Sequence, residues 1–164
     1  MRFCLLDVIE RIEGDRRLVA VKNVSYSEEY LQDHFPEFPV LPGVFMLEAA
    51  TQASAWLLRI SSDYAHSVIN LKEAKNVKYA GFVTPGNRLR VEVEVIKRDE
   101  RLVTLKVNGS VDGAPTLSGR LVLEQYNLGD ADPEMAEVDA RMRLFLQKWE
   151  KAIYRRPKVA SSAA

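Results

Sequence analysis

Residues 44–58, Val-Phe-Met-Leu-Glu-Ala-Ala-Thr-Gln-Ala-Ser-Ala-Trp-Leu-Leu, hold no glycine or proline and show apolar side chains on nearly every helical face. Such a helix belongs inside a protein, because a surface helix keeps one polar face. With 164 residues there is enough chain for one sizeable core and too little for two ordinary domains. The rest of the fold therefore has to wrap this one helix, and Ala49, Ala50, Ala53 and Ala55 let a sheet approach it closely.

The sequence around the helix supplies that sheet. Residues 3–12 and 17–24 are apolar-rich and joined through Glu13-Gly14-Asp15, which predicts a hairpin. A polar stretch over 25–33 with a short helical turn follows. Strand-like sequence resumes at 67–80, and Thr84-Pro85-Gly86-Asn87 is a turn. Residues 91–95 alternate as a half-exposed strand does, and Arg98-Asp99-Glu100-Arg101 turns into a strand at 102–111. Asp112-Gly113 is a strong hairpin signal before a last strand at 115–125. A curved antiparallel sheet around one central helix, an α+β architecture, is the economical solution.

Beyond the sheet, Asp132 caps a predicted helix with Pro133 at its first position. Met135, Val138, Met142, Phe145, Trp149 and Ala152 give it an apolar seam. Five acidic residues lie between positions 130 and 139, and seven basic against one acidic between 141 and 158, a gradient that complements the helix dipole. The tail from Val159 is expected to be disordered.

Composition excludes several classes. The chain is 47% hydrophobic and 28% charged with a net charge of +0, so no basic excess points to nucleic acid. No run reaches the ~18 apolar residues of a membrane span, and Asp7 and Glu10 interrupt any signal-peptide pattern, so a cytoplasmic protein is expected. Cys4 is the single cysteine and reads as a small packed thiol in a reducing compartment. Trp56, Met46 and Leu47 read as core, and His66 as a surface residue.

Two residues stand out chemically. Glu48 interrupts the apolar helix, and Gln52 lies one turn on, on the same face. A carboxyl enclosed by apolar groups holds its proton toward neutrality, the state a general acid needs, although a structural polar pair, or a helix end that reaches solvent, fits the pattern equally. His34 opens a rigid segment, His34-Phe35-Pro36-Glu37-Phe38-Pro39-Val40-Leu41-Pro42-Gly43, whose three prolines exclude helix and central strand. Pro42-Gly43 starts the helix with Val44 in its first turn, where free N–H groups favour developing negative charge.

The stretch His34-Phe35-Pro36-x-x-Pro39-Val40-x-Pro42-Gly43-Val44-x-x-x-Glu48-Ala49-x-x-Gln52 resembles the signature of the FabZ/FabA-type 3-hydroxyacyl-[acyl-carrier-protein] dehydratases. The resemblance covers roughly residues 3–125. It implies a hotdog fold over 1–127, with 128–164 as a helical extension outside the common pattern. It further implies that His34 removes a C2 proton, Glu48 delivers a proton to the leaving C3 hydroxyl, the N–H groups of Gly43 and Val44 polarise the thioester carbonyl, and Gln52 orients Glu48. No metal or other cofactor is implied. The implied partners are an acyl-carrier protein and a second copy of the chain, as a homodimer or a trimer of dimers, with His and Glu of one site drawn from different chains. The sequence departs from the family where Asp33 and Glu37 flank the His-Phe-Pro segment. A hotdog thioesterase and an acyl-thioester-binding hotdog without turnover are the competing readings.

Overall fold

The structure, a computed structural model, describes residues 3–154. Six strands, β1 (Val8–Glu13), β2 (Arg17–Asn23), β3 (Val68–Tyr79), β4 (Arg88–Arg98), β5 (Leu102–Val111) and β6 (Ala114–Tyr126), form one sheet in the order β1-β2-β4-β5-β6-β3, with every pairing antiparallel. Between β2 and β3 lie a short helix α1 (Tyr30–Asp33) and the long helix α2 (Gly43–Ser61), and α3 (Ala136–Ile153) closes the described chain.

The tight turns follow from local chemistry. Asp112 (φ 49°) and Gly113 (φ 84°) both take positive φ, as the two-residue hairpin between β5 and β6 requires. Gly86 (φ 88°) turns the chain before β4, and its N–H donates to Val24 at 2.8 Å, fastening that turn to the end of β2.

The concave face of the sheet holds α2. Leu89, Val91 and Val93 of β4, Val103, Leu105 and Val107 of β5, and Leu117, Leu121 and Leu123 of β6 alternate inward and pack with Ala49, Ala50, Ala53, Leu57 and Leu58 of the helix. Truncating Leu57 or Leu58 to Ala would cost on the order of 2–5 kcal/mol, the usual range for a fully buried leucine. The expected enclosure of α2 holds for Met46 and for residues 49–51 and 53–58, but not for the face that carries Val44, Leu47, Glu48 and Gln52. Val44 is 63% exposed, and Phe45, Leu47, Glu48 and Gln52 are only half-buried.

The first strand is shorter than the apolar run that predicts it. Residues 3–6 lie outside β1, although Leu5 and Leu6 are each 2% exposed, because part of their backbone pairs with a side chain of α2. β3 lies at one edge of the sheet, most of its residues exposed.

The C-terminal helix starts as the sequence predicts: Asp132 accepts the Glu134 N–H at 3.1 Å and Pro133 opens a 3-10 turn (Pro133–Met135) that runs into α3. Its inner face differs from the predicted seam. Ile153 is buried while Ala152 is exposed, and two carboxylates turn inward. Asp139, 2% exposed, accepts from the Ser67 hydroxyl, from the Leu128 N–H at 3.0 Å and from the Gly129 N–H at 2.8 Å. Glu150 accepts from Tyr64 Oη at 2.6 Å. Trp149 meets Trp56 of α2 edge-on, ring centroids 5.8 Å apart. The tail from Val159 lies outside the described residues.

Candidate active site

His34 is the residue at which α1 ends, with φ −108° and ψ 97°, so the chain leaves the helix extended. Phe35 follows at φ 53°, a left-handed conformation rare for an aromatic residue and of the kind that concentrates at functional sites. The turn is closed by the Phe38 N–H donating to Phe35 O at 2.8 Å, and the His34 and Phe35 rings lie 4.6 Å apart. Further on, the Leu41 N–H donates to Val83 O at 2.8 Å, tying the proline segment to the loop before β4. These backbone bonds anchor the segment that follows His34, whose imidazole is half-buried. Asp33 and Glu37 are exposed, and neither forms an ion pair with His34 among the described residues.

Pro42 precedes α2, and its carbonyl accepts the N–H groups of Phe45 at 2.9 Å and Met46 at 3.2 Å. Gly43 and Val44 stand in the first turn, where N–H groups have no intrahelical acceptor. A Cβ at Gly43 would crowd the Tyr79 ring, lying 3.2 Å from its Cδ1 and Cε1. Tyr79, the last residue of β3, was not foreseen as part of the site, and a lone aromatic at a strand end carries no signal for it. Burial pushes its phenol above the ordinary value. His34, Gly43, Met46, Tyr79 and Phe82 line a cavity of about 310 Å³ whose walls are mostly apolar.

Glu48 lies one turn beyond Val44, half-buried rather than enclosed. Gln52 Nε2 donates to Glu48 Oε1 at 2.9 Å and to the Phe3 carbonyl at 3.1 Å, while Gln52 Oε1 accepts the Leu5 N–H at 3.0 Å. The predicted site residues thus form two groups in one chain: His34 with Gly43 on the cavity, and Glu48 with Gln52 on the neighbouring face of α2. Among the described residues no hydrogen bond or ion pair joins His34 to Glu48, and no group of His, Cys, Asp and Glu has metal-binding geometry.

Of two further sequence readings, one holds and one changes. Cys4 is half-buried with its thiol donating to Leu6 O at 3.2 Å, and burial above all pushes that thiol up, as expected of a packed sulfur. His66 is not a free surface residue: it is half-buried, with Nδ1 inaccessible and without a hydrogen-bond partner among the described residues.

The FabA-like domain model matches residues 1–120. A 3-hydroxyacyl-[acyl-carrier-protein] dehydratase FabZ of Janthinobacterium sp. (strain Marseille) is 33% identical over 132 residues, covering 79% of this chain and 85% of that protein. Its counterpart from Geobacillus thermodenitrificans is 36% identical over 131 residues, 78% and 86% of the two chains. Among solved structures, the dehydratase heterocomplex ApeI:P of Xenorhabdus doucetiae superposes with a TM-score of 0.63 at 22% identity, over 81% of this chain and 90% of that one. A hypothetical thioesterase of Streptococcus pneumoniae TIGR4, solved with coenzyme A, superposes with a TM-score of 0.55 at 15% identity, over 71% and 83%. At those identities the two superpositions establish the hotdog fold alone. The family match over most of the chain goes further: this chain is a member of the FabA-like family, and its relatives include FabZ 3-hydroxyacyl-[acyl-carrier-protein] dehydratases.

Proposed function

We propose that this protein is a 3-hydroxyacyl-[acyl-carrier-protein] dehydratase of fatty-acid or related lipid synthesis, converting a 3-hydroxyacyl thioester to the trans-2-enoyl thioester with His34 and Glu48 as its catalytic pair. The observation that carries the residue assignment is the arrangement around the start of α2. His34 on its proline-rich loop and Gly43 at the start of α2 share one apolar cavity, and a carboxyl, Glu48, stands further along the same helix.

In this reading the acyl chain lies in the cavity and the thioester carbonyl faces the Gly43 and Val44 N–H groups. The His34 imidazole takes the C2 proton. The electrons of that C–H bond become the C2–C3 double bond, the C3–O bond breaks, and Glu48 gives its proton to the departing hydroxyl, which leaves as water. The backbone donors stabilise the enolate-like charge; in other enzymes one such donor is worth ~2.7–4 kcal/mol. General-acid help to a poor leaving group contributes typically ~10²–10⁴-fold.

Glu48 is not among the residues that line the cavity of its own chain's His34, which supports a homodimer in which each site takes one residue from each copy. The exposed edge strand β3 suits such a pairing, since an unpaired edge is a template for another strand. A trimer of dimers is the larger assembly compatible with it. The carrier protein is the expected macromolecular partner, residues 128–154 are an extension added to the hotdog body, and the cytoplasm is the expected compartment. No helix of the described residues is long and apolar enough to cross a membrane.

The direct test is incubation of the purified protein with short and long 3-hydroxyacyl carrier proteins, following enoyl product and free thiol. Enoyl product without thiol is the expected result. Free thiol would favour the thioesterase reading, and binding without either product the non-catalytic one.

A further inference from the structure

We propose that the backbone of residues 3–5 is a positioning clamp that acts on Glu48 through the Gln52 side chain, a proposal that rests on Glu48 being the catalytic acid. A glutamine amide has chemically distinct ends and can turn over about its last bond. Here each end is read by a matching group. Oε1 receives the Leu5 N–H at 3.0 Å, and the two hydrogens of Nε2 go to the Phe3 carbonyl at 3.1 Å and to Glu48 Oε1 at 2.9 Å. Turned over, Oε1 would face two acceptors and Nε2 would face a donor, so all three contacts would become unfavourable.

The clamp is itself held on both sides. The Phe3 ring meets Phe45 edge-on with centroids 5.0 Å apart, and Phe45 meets Tyr30 in the same manner at 4.8 Å. The Leu5 side chain is 2% exposed in the core. Beyond it, the Asp7 N–H donates to Val21 O at 2.9 Å and Asp7 Oδ2 accepts the Asn23 N–H at 2.6 Å. This segment therefore directs a donor and an acceptor to one side chain of α2 instead of extending the β1 ladder, and that side chain has its one remaining hydrogen on Glu48. With Oε1 of Glu48 occupied, Oε2 is the oxygen left to carry the proton to the substrate hydroxyl. Phe3 and Leu5 are positioning residues, and neither meets substrate in this proposal.

The test is a kinetic cycle on the full chain with Phe3→Ala, Gln52→Leu and the double variant. Phe3→Ala is expected to lower kcat about tenfold with KM unchanged, the scale of loss that sub-ångström misplacement of a reacting group brings. Phe3→Tyr, which keeps the ring, should retain kcat. In the Gln52→Leu background the same Phe3→Ala change should have less than about a twofold effect, because its route to Glu48 is already cut. A loss that is equal in both backgrounds, or no loss in a folded protein, overturns the clamp. Should Phe3→Ala not fold, replacing Leu5 by its α-hydroxy acid removes the one N–H donor and leaves the side chain; unchanged kcat there overturns it too. Glu48→Gln, measured alongside, separates the two levels. If Glu48→Gln keeps its rate, the site assignment fails, whereas an inactive Glu48→Gln beside a fully active Phe3→Ala removes the clamp alone.

Discussion

The ring of Tyr79 fills the space that a side chain at position 43 would need, with a Cβ there only 3.2 Å from two ring carbons. Tyr79 is 48% exposed and lines the apolar cavity, so the ring can yield and in doing so would alter that cavity's wall. Gly43→Ala should change stability by less than about 1 kcal/mol, since better helix propensity offsets the crowding. It should lower kcat/KM roughly threefold to tenfold, within the range expected of small misplacements. Thermal unfolding and steady-state kinetics check both halves, and adding Tyr79→Ala should restore part of the loss. An unchanged kcat/KM in Gly43→Ala would place the substrate elsewhere.

His34→Ala and Glu48→Gln should each reduce turnover by ~10²–10⁴, the range of general acid and base contributions. Both side chains are half-buried and outside the core, so melting temperature and oligomeric size should stay as in the parent protein. Mixing the two inactive variants should regain activity if each site draws its residues from two copies. No regain after subunit exchange would place both residues of a site in one chain.

The spacing from His34 to Gln52 was legible because it is local. A proline segment sets the loop, Pro42-Gly43 starts the helix, and the i,i+4 relation puts Glu48 beside Gln52. What escaped was set by distant chain. Which face of α2 the sheet leaves open is set by strands remote in sequence, so the exposure of Val44 could not be seen in an apolar run. The inward turn of Asp139 and Glu150 was likewise invisible, because periodicity assigns acids to the outer face and their partners Ser67 and Tyr64 are remote in sequence. The hairpins were legible from Asp112-Gly113 and the residues around Gly14, whose positive φ is a property of the turn itself.

Replacing Asp139 by Ala should loosen α3, because three donors, the Ser67 hydroxyl and the N–H groups of Leu128 and Gly129, lose a shared acceptor. Burial opposes the charge on Asp139, yet those donors together with Arg143 outweigh it and hold the carboxyl below its usual range. Its contribution to stability is therefore present above the ordinary carboxylate range and lost as pH falls through the lowered value. Trp149→Ala should cost roughly 2–3 kcal/mol, less than the ~3–5 of a fully buried aromatic because Trp149 is half-buried. Trp56, where Trp149 packs, lies roughly 20 Å along the axis of α2 from Gly43. Turnover of folded Trp149→Ala should therefore match the parent; a large fall in kcat would connect α3 to the site.

His66 gives a pH-dependent component. Burial foremost holds its pKa below the ordinary 6.5; Asp130 opposes that effect, while Arg143 and Arg101 add to it. The unfolded chain then takes up a proton that the folded chain resists. The stability contribution is complete above about pH 6.5, the unfolded value, and declines as pH falls through that point toward the folded value. Melting temperature measured at pH 7.5 and pH 5.5 should drop less for His66→Gln than for the parent; equal drops would remove His66 as the source.

The strand order also governs how this chain can be made. The hairpins β4–β5 and β5–β6 close between neighbours in sequence, but β3 pairs only with β6, Val68 opposite Tyr126 and Tyr79 opposite Leu117. A chain emerging from the ribosome therefore carries β3, and Tyr79 with it, without a mate until nearly the whole sheet has been synthesised. Long-range pairings of this kind form late and slowly. Translation arrested before β6 would leave β3 unpaired and the side of α2 that Leu117, Leu121 and Leu123 cover open to water, so a fragment ending at β5 should be prey for proteases rather than a smaller enzyme.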